Sequence, residues 1–147
     1  TIEFAPPHEP NEKLFRMVRA CLEALEQSPD QLAALVRYFE VWMLKLSGFL
    51  PDLRRCAECN ITLIEQERTF LNAELKPRCL ACSKGLGSLL LKETQTQFQS
   101  IQRLSPKEFA LSIKDDRKKV WDEMGQITQK LIGRALEREP RGRMAFS

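Results

Sequence analysis

Apolar residues recur at helical spacing over residues 11–27. Leu14, Val18, Cys21 and Leu25 fall on one stripe, widened by Phe15 and Leu22. That period predicts an amphipathic helix with its apolar face turned to a core. Ser28, Pro29, Asp30 and Gln31 stop this helix and start another: serine suits the N-cap, proline the first helical position, and glutamine closes a capping box. The second helix is expected to run to about Ser47. Its core stripe reads Leu32, Leu35, Val36, Phe39, Met43 and Leu46, while Tyr38, Val41, Trp42 and Leu44 cover other faces. A helix apolar on most sides is packed by several neighbours, so this one is expected at the centre of the fold. Gly48 can end it in a left-handed cap, and Pro51 prevents its resumption.

Beyond Leu53 the pattern changes. Residues 61–64 and 68–71 are short β-capable runs separated by the charged Glu65, Gln66 and Glu67, which predicts a hairpin. Lys84, Gly85, Leu86 and Gly87 read as a loop; its Gly-x-Gly follows no buried strand, so it is not read as a phosphate cradle. Residues 88–103 are expected to be helical. Ser105 and Glu108 make a second capping box around Pro106, opening a short helix over 106–113. The last helix is expected to begin near Asp115 and Asp116 and to reach about Glu137. Val120, Met124, Ile127 and Leu131 form its buried stripe, and Lys130, Arg134, Arg138 and Arg141 form a basic one. The first ten residues hold Pro6, Pro7, Pro10 and the sole histidine, His8; they read as irregular, with His8 on the surface.

Two Cys-x-x-Cys pairs stand out: Cys56 with Cys59, and Cys79 with Cys82, nineteen residues apart. Two tight turns that each present a pair of thiolates match the four ligands of a tetrahedral zinc ion. Four thiolates close the coordination shell, whereas a hydrolytic zinc needs an open position for water, so the site reads as structural. Arg54, Arg55, Arg78 and Lys84 flank the pairs and favour thiolate over thiol. Structural disulfides or unrelated thiols are the alternatives, and a redox role lacks a thioredoxin-like βαβ setting. The fold class expected is mainly α, a helical bundle with an inserted four-cysteine, zinc-ribbon-like β-hairpin. The expected organisation is a single helical domain over 1–147 with the ribbon inserted at 54–84.

At 147 residues, with 43% hydrophobic and 29% charged content, the chain is of globular type with room for a core. No apolar run reaches the length of a membrane span. Four cysteines in a metal pattern argue for a reducing compartment. The net charge of +3 is uneven: residues 1–60 carry seven Lys/Arg against nine Asp/Glu, and residues 61–147 carry sixteen against eleven. A basic C-terminal part suits an anionic partner, as well as an ordinary solvated surface. No histidine, serine or carboxylate constellation of a catalytic site is evident, so the chain is not expected to be an enzyme.

The run from Tyr38 to Leu53, with its Gly48-Phe49-Leu50-Pro51 turn arriving at Cys56, resembles the RecO family of bacterial recombination mediators and DNA-repair proteins. Pro10, Asn11, Leu14 and Phe15 are similar to the start of that family's helical region, and Gly133 to Phe146 match its basic tail more loosely. The resemblance implies a C-terminal helical and zinc-binding region without the N-terminal OB-fold barrel; the first residue, Thr1, also suggests a piece of something longer. It implies RecR, single-stranded-DNA-binding protein (SSB) and single- and double-stranded DNA as partners, in the bacterial cytoplasm at the nucleoid. Candidate contacts are Arg54, Arg55, Lys76, Arg78 and Lys84 around the knuckle, and Lys130, Arg134 and Arg138 on the last helix. The acidic, aromatic-ended tail of SSB needs an apolar slot with a basic rim. Ile127 and Leu131 are expected to line it, with Lys130 and Arg134 at its edge. A zinc-ribbon module of transcription or translation that binds only protein is the alternative.

Overall fold

The computed structural model describes residues 9–114 and 117–138, with side chains over 12–114 and 117–137. His8, Asp115, Asp116, Arg141 and the rest of the basic tail lie outside the described residues. The elements in order are α1 (Glu9–Gln27), a 3-10 turn (Pro29–Gln31), α2 (Leu32–Ser47), β1 (Thr69–Leu71), β2 (Pro77–Cys79), α3 (Leu80–Ser83), β3 (Ser88–Leu90), α4 (Lys92–Arg103), α5 (Pro106–Ser112) and α6 (Lys118–Arg138). This is the expected mainly helical bundle carrying a small sheet.

Helix α2 is the hub, packed against α1, α4, α5 and α6. Its buried face, however, is Ala34, Leu35, Tyr38, Val41 and Leu44. Leu32 is 54% exposed and Val36 39%, and Phe39, Met43 and Leu46 are half-buried. Two apolar stripes lie side by side on this helix, and periodicity does not say which one the neighbours cover. The same holds on α1, where Met17, Cys21 and Ala24 reach the core while Phe15 stands 71% exposed and Leu22 58%. On α6 the expected stripe of Val120, Met124, Ile127 and Leu131 is buried, joined by Trp121.

Polar anchors fix the helices against one another. Tyr38 Oη donates to the Leu104 carbonyl at 2.7 Å and Trp42 Nε1 to that of Ile101 at 2.9 Å. Within α2, Arg37 Nη1 meets Glu40 Oε1 at 2.6 Å, and the pair reaches α6: Arg37 Nε donates to the Trp121 carbonyl at 2.9 Å and Thr128 Oγ1 donates to Glu40 Oε1 at 2.7 Å. Gly125 makes room for this group, since a Cβ there would stand 2.5 Å from Arg37 Cζ.

Helix boundaries follow local chemistry. Gly48 takes φ +82°, and the Phe49 amide reaches back to the Leu44 carbonyl at 2.9 Å while that of Gly48 reaches Lys45 at 3.1 Å; this pair satisfies the last carbonyls. The capping box of Ser105 and Glu108 forms in both directions. The one expected at Ser28 does not: its side chain makes no capping bond. Residues 29–31 wind as a tighter 3-10 turn, which takes Gln31 out of the third position of an α-helix.

The sheet departs from the expected hairpin. Residues 61–64 form no strand and contribute only an isolated bridge between Thr62 and Arg55. Three strands pair antiparallel in the order β2-β1-β3, with Phe70 opposite both Arg78 and Leu89. The third strand comes from residues 88–90, beyond the expected 54–84 boundary and within a stretch expected to be helical. Helix α4 starts only at Lys92. The sheet shares the helical core on one side: Leu71 and Leu90, with the neighbouring Leu53 and Leu75, lie in one apolar cluster with Phe98, Ile101 and Met124.

Candidate metal centre

The first Cys-x-x-Cys is a tight knuckle. The Cys56 amide bonds the Ile61 carbonyl at 2.9 Å and the Asn60 amide bonds that of Cys56 at 3.0 Å, with Asn60 left-handed at φ +66°. In the second, Cys79 caps the short α3, its Sγ accepting from the Cys82 amide at 3.4 Å. Lys84 closes that turn at φ +55°. Two contacts clamp the knuckles together: the Ala57 amide to the Pro77 carbonyl at 2.8 Å, and Arg78 Nη1 to Glu58 Oε2 at 2.8 Å.

The four Sγ atoms of Cys56, Cys59, Cys79 and Cys82 lie within 4.8 Å of one another, with Cys59 and Cys79 at 3.7 Å. A tetrahedral thiolate centre with bonds of about 2.3 Å has sulfur–sulfur edges of about 3.8 Å, so the residues fit a metal ion. None of the five cysteines is joined in a disulfide in this structure. Cys56 and Cys79 are buried with Leu63 in a small cluster of their own, whereas Cys59 is exposed.

The electrostatics point the same way. Burial opposes the Cys56 thiolate, but backbone N–H groups, including those of Glu58 and Cys79 at 3.4 Å, outweigh it and draw its pKa down to about 6. The neighbouring sulfurs of Cys79 and Cys59 push Cys82 up to about 12. Thiols this close cannot all ionise unaided, and a cation relieves that conflict. Cys21 is remote from this cluster; burial against the core pushes its thiol up to about 11, as for an inert structural cysteine.

The flanking basic residues divide among separate places. Arg54 and Arg55 line a groove of about 520 Å³ together with Leu53, Thr62, Ile64, Gln95, Thr96, Gln99 and Arg103. Arg54 is also paired with Asp52 at 2.9 Å, which holds that carboxyl below its ordinary range. Arg78 is engaged by Glu58. Lys84 is exposed on the second knuckle. Lys76 and Arg134 line a different slot of about 280 Å³ with Gly48, Phe49, Leu50, Pro51, Glu74 and Leu131; Arg134 also donates to the Ala73 carbonyl. Ile127, a turn before Leu131, is buried in the helical core and does not line this slot. Lys130 is exposed on α6. Arg138 is the last residue of α6, its side chain outside the described residues. Sequence reasoning missed Arg103 and Gln99, because residues 88–103 gave only a polar helical pattern and no reason to place one face beside the knuckle.

Comparison with known proteins gives a consistent result. The family described as "Recombination protein O C terminal" matches residues 1–144. Relatives named "DNA repair protein RecO" include one from Anaeromyxobacter sp. (strain K), 34% identical over 84 residues, covering 57% of this chain and 33% of the relative. Another, from Koribacter versatilis (strain Ellin345), is 35% identical over 86 residues, covering 58% and 34%. A third, from Dehalococcoides mccartyi (strain ATCC BAA-2266 / KCTC 15142 / 195), is 33% identical over 67 residues, covering 46% and 26%. The aligned region thus spans about a third or less of each of these relatives. No solved structure matches the chain significantly. Among the described residues, no helix is long and apolar enough to cross a membrane.

Proposed function

The chain belongs to the family described as recombination protein O C terminal, matched over residues 1–144, and on that premise we propose that it is a non-catalytic interaction module of DNA repair and homologous recombination. It engages single- and double-stranded DNA, SSB and RecR, and so supports strand annealing and recombinase loading in the bacterial cytoplasm at the nucleoid. The observation that carries this reading is the family match along almost the whole chain.

The metal is zinc, held by Cys56, Cys59, Cys79 and Cys82. It supplies a closed structural cross-link rather than a Lewis acid for substrate. The chain's own residues do the recognition. The slot beneath α6 has the chemistry that an acidic tail with an apolar end requires. Phe49, Leu50 and Leu131 offer apolar surface, and Lys76 and Arg134 add two basic groups beside the single Glu74.

Titration of a labelled SSB tail peptide into the native chain and an Arg134→Glu variant tests this placement. Charge reversal at a true rim weakens binding and lowers its salt sensitivity while the fold is unchanged. Equal affinities at low salt would move the tail site elsewhere.

A further inference from the structure

We infer that the groove between the first knuckle and α4 is a sequence-neutral phosphodiester site, clamped by Arg54 and Arg55 on one wall and Arg103 on the other. This rests on the nucleic-acid reading above and assigns it a place. The groove's lining includes three arginines and no carboxylate. Of the other basic recesses, the slot beneath α6 also holds Glu74 and the recess beside Gly48 also holds Asp52, while the one lined by Lys13 and Arg16 has no carboxylate but is otherwise walled mostly by Met17, Tyr38, Trp42 and Leu46 and offers few polar partners.

The three guanidinium groups are differently held. Arg55 Nη1 donates to the Asn60 carbonyl at 3.3 Å and to Thr62 Oγ1 at 3.4 Å; both acceptors are neutral, so the fork is oriented without losing its charge. Arg54 forks onto Asp52, Nε to Oδ1 at 2.9 Å and Nη2 to Oδ2 at 3.0 Å, so its charge is already matched and the free charge of the groove comes from Arg55 and Arg103. Arg103, in the last turn of α4, makes no ion pair among the described residues. A ligand with repeated negative charge and several acceptor oxygens suits this arrangement.

The neutral lining separates a nucleic-acid backbone from other anions. Thr62 and Gln99 add a hydroxyl and an amide donor of the kind that contact phosphate and sugar oxygens, while the Thr96 hydroxyl donates to the Lys92 carbonyl at 3.0 Å. No aromatic side chain lines the groove, so there is no platform for stacking bases, and binding reads the backbone alone. The walls come from different parts of the fold. The Leu63 amide bonds the Arg54 carbonyl at 2.8 Å and Thr62 bridges Arg55, tying two arginines to the metal-bearing knuckle, while Arg103 belongs to the bundle. The knuckle therefore sets the distance between charges.

The test is fluorescence anisotropy over a range of KCl. Labelled oligothymidylate and a mixed-sequence single strand of equal length are titrated with the zinc-loaded chain, with Arg103→Ala, with Arg103→Lys and with Lys119→Ala as a control on α6. Arg103→Ala should weaken both strands alike, by about three- to tenfold at low salt, and lower the slope of log affinity against log salt by about one. Arg103→Lys should keep most of the affinity, Lys119→Ala should leave it unchanged, and circular dichroism should match throughout. Salt-dependent binding that Arg103→Ala leaves untouched overturns the groove and spares the wider reading. Absence of any salt-dependent binding by the native chain overturns both. An Arg103→Ala defect for the acidic tail peptide but not for either strand makes the groove a peptide site and overturns the inference.

Discussion

Gln95 Nε2 donates to the Leu53 carbonyl at 3.0 Å, and that bond joins the helical bundle to the segment entering the first metal knuckle. Gln95 is 1% exposed, and its Oε1 lies 3.5 Å from Thr69 Oγ1 on β1. One amide thus faces both the incoming segment and the sheet. Replacing it by alanine leaves the Leu53 carbonyl and the Thr69 hydroxyl without this partner. A buried group stripped of its hydrogen bond costs about 1–3 kcal/mol. Gln95→Ala should therefore lower the urea midpoint by a corresponding amount without changing the slope, as measured by equilibrium unfolding. An unchanged midpoint would mean that the amide joins nothing.

The two phenylalanines at 39 and 98 should behave unequally. Phe98 is 0% exposed at the meeting of the helices and sheet, so Phe98→Ala should cost about 3–5 kcal/mol. Phe39 is half-buried on the outer stripe of α2, and its replacement should cost about 1 kcal/mol. The same denaturation series measures both, and equal costs would contradict the assignment of the buried face.

Tyr38 is the sole tyrosine, so phenolate absorbance reports it without overlap from another. Burial, followed by the nearby Cys21, raises its pKa from 10.0 to about 12. The folded state favours the neutral phenol. The stability this contributes is complete below pH 10 and is lost as pH rises from there through 12. Spectrophotometric titration of the folded chain should find a midpoint near 12, and unfolding in urea should return it towards 10. A folded midpoint at 10 would place the ring in water.

What was legible in the sequence was what depends on neighbours along the chain. The Gly48 cap, the Ser105 capping box and the Cys-x-x-Cys turns are set within a few residues, and each forms. The choice between Phe39 and Tyr38 as the core side of α2 depends on where α4, α5 and α6 lie, and both stripes are apolar. The strand at 88–90 gave no alternation to read; its leucines became a strand because β1 was there to pair with. Ser28 misled because a capping box presumes an α-helical first turn. Arg103 acquires its place only when α4 is laid beside the knuckle, a contact between residues almost fifty positions apart.

That shared packing also bears on what a metal at the four cysteines would hold together. The expected organisation makes the ribbon an insertion at 54–84, yet its Leu71 and Leu75 are part of the helical core, together with the flanking Leu53 and Leu90. Structural zinc contributes on the order of 10 kcal/mol to the folding of small modules. Cys79→Ser should therefore lose the metal and also lower the cooperativity and midpoint of helix unfolding followed by circular dichroism. Helix unfolding identical to the native chain would show that sheet and bundle are independent.

Cys56, Cys59, Cys79 and Cys82 are proposed to hold one structural zinc that fixes the knuckle to the bundle. Elemental analysis of the chain purified without chelator tests it most directly. The account predicts one zinc per chain, and close to none in the Cys79→Ser variant purified alongside. A native chain that is folded and free of zinc would contradict it.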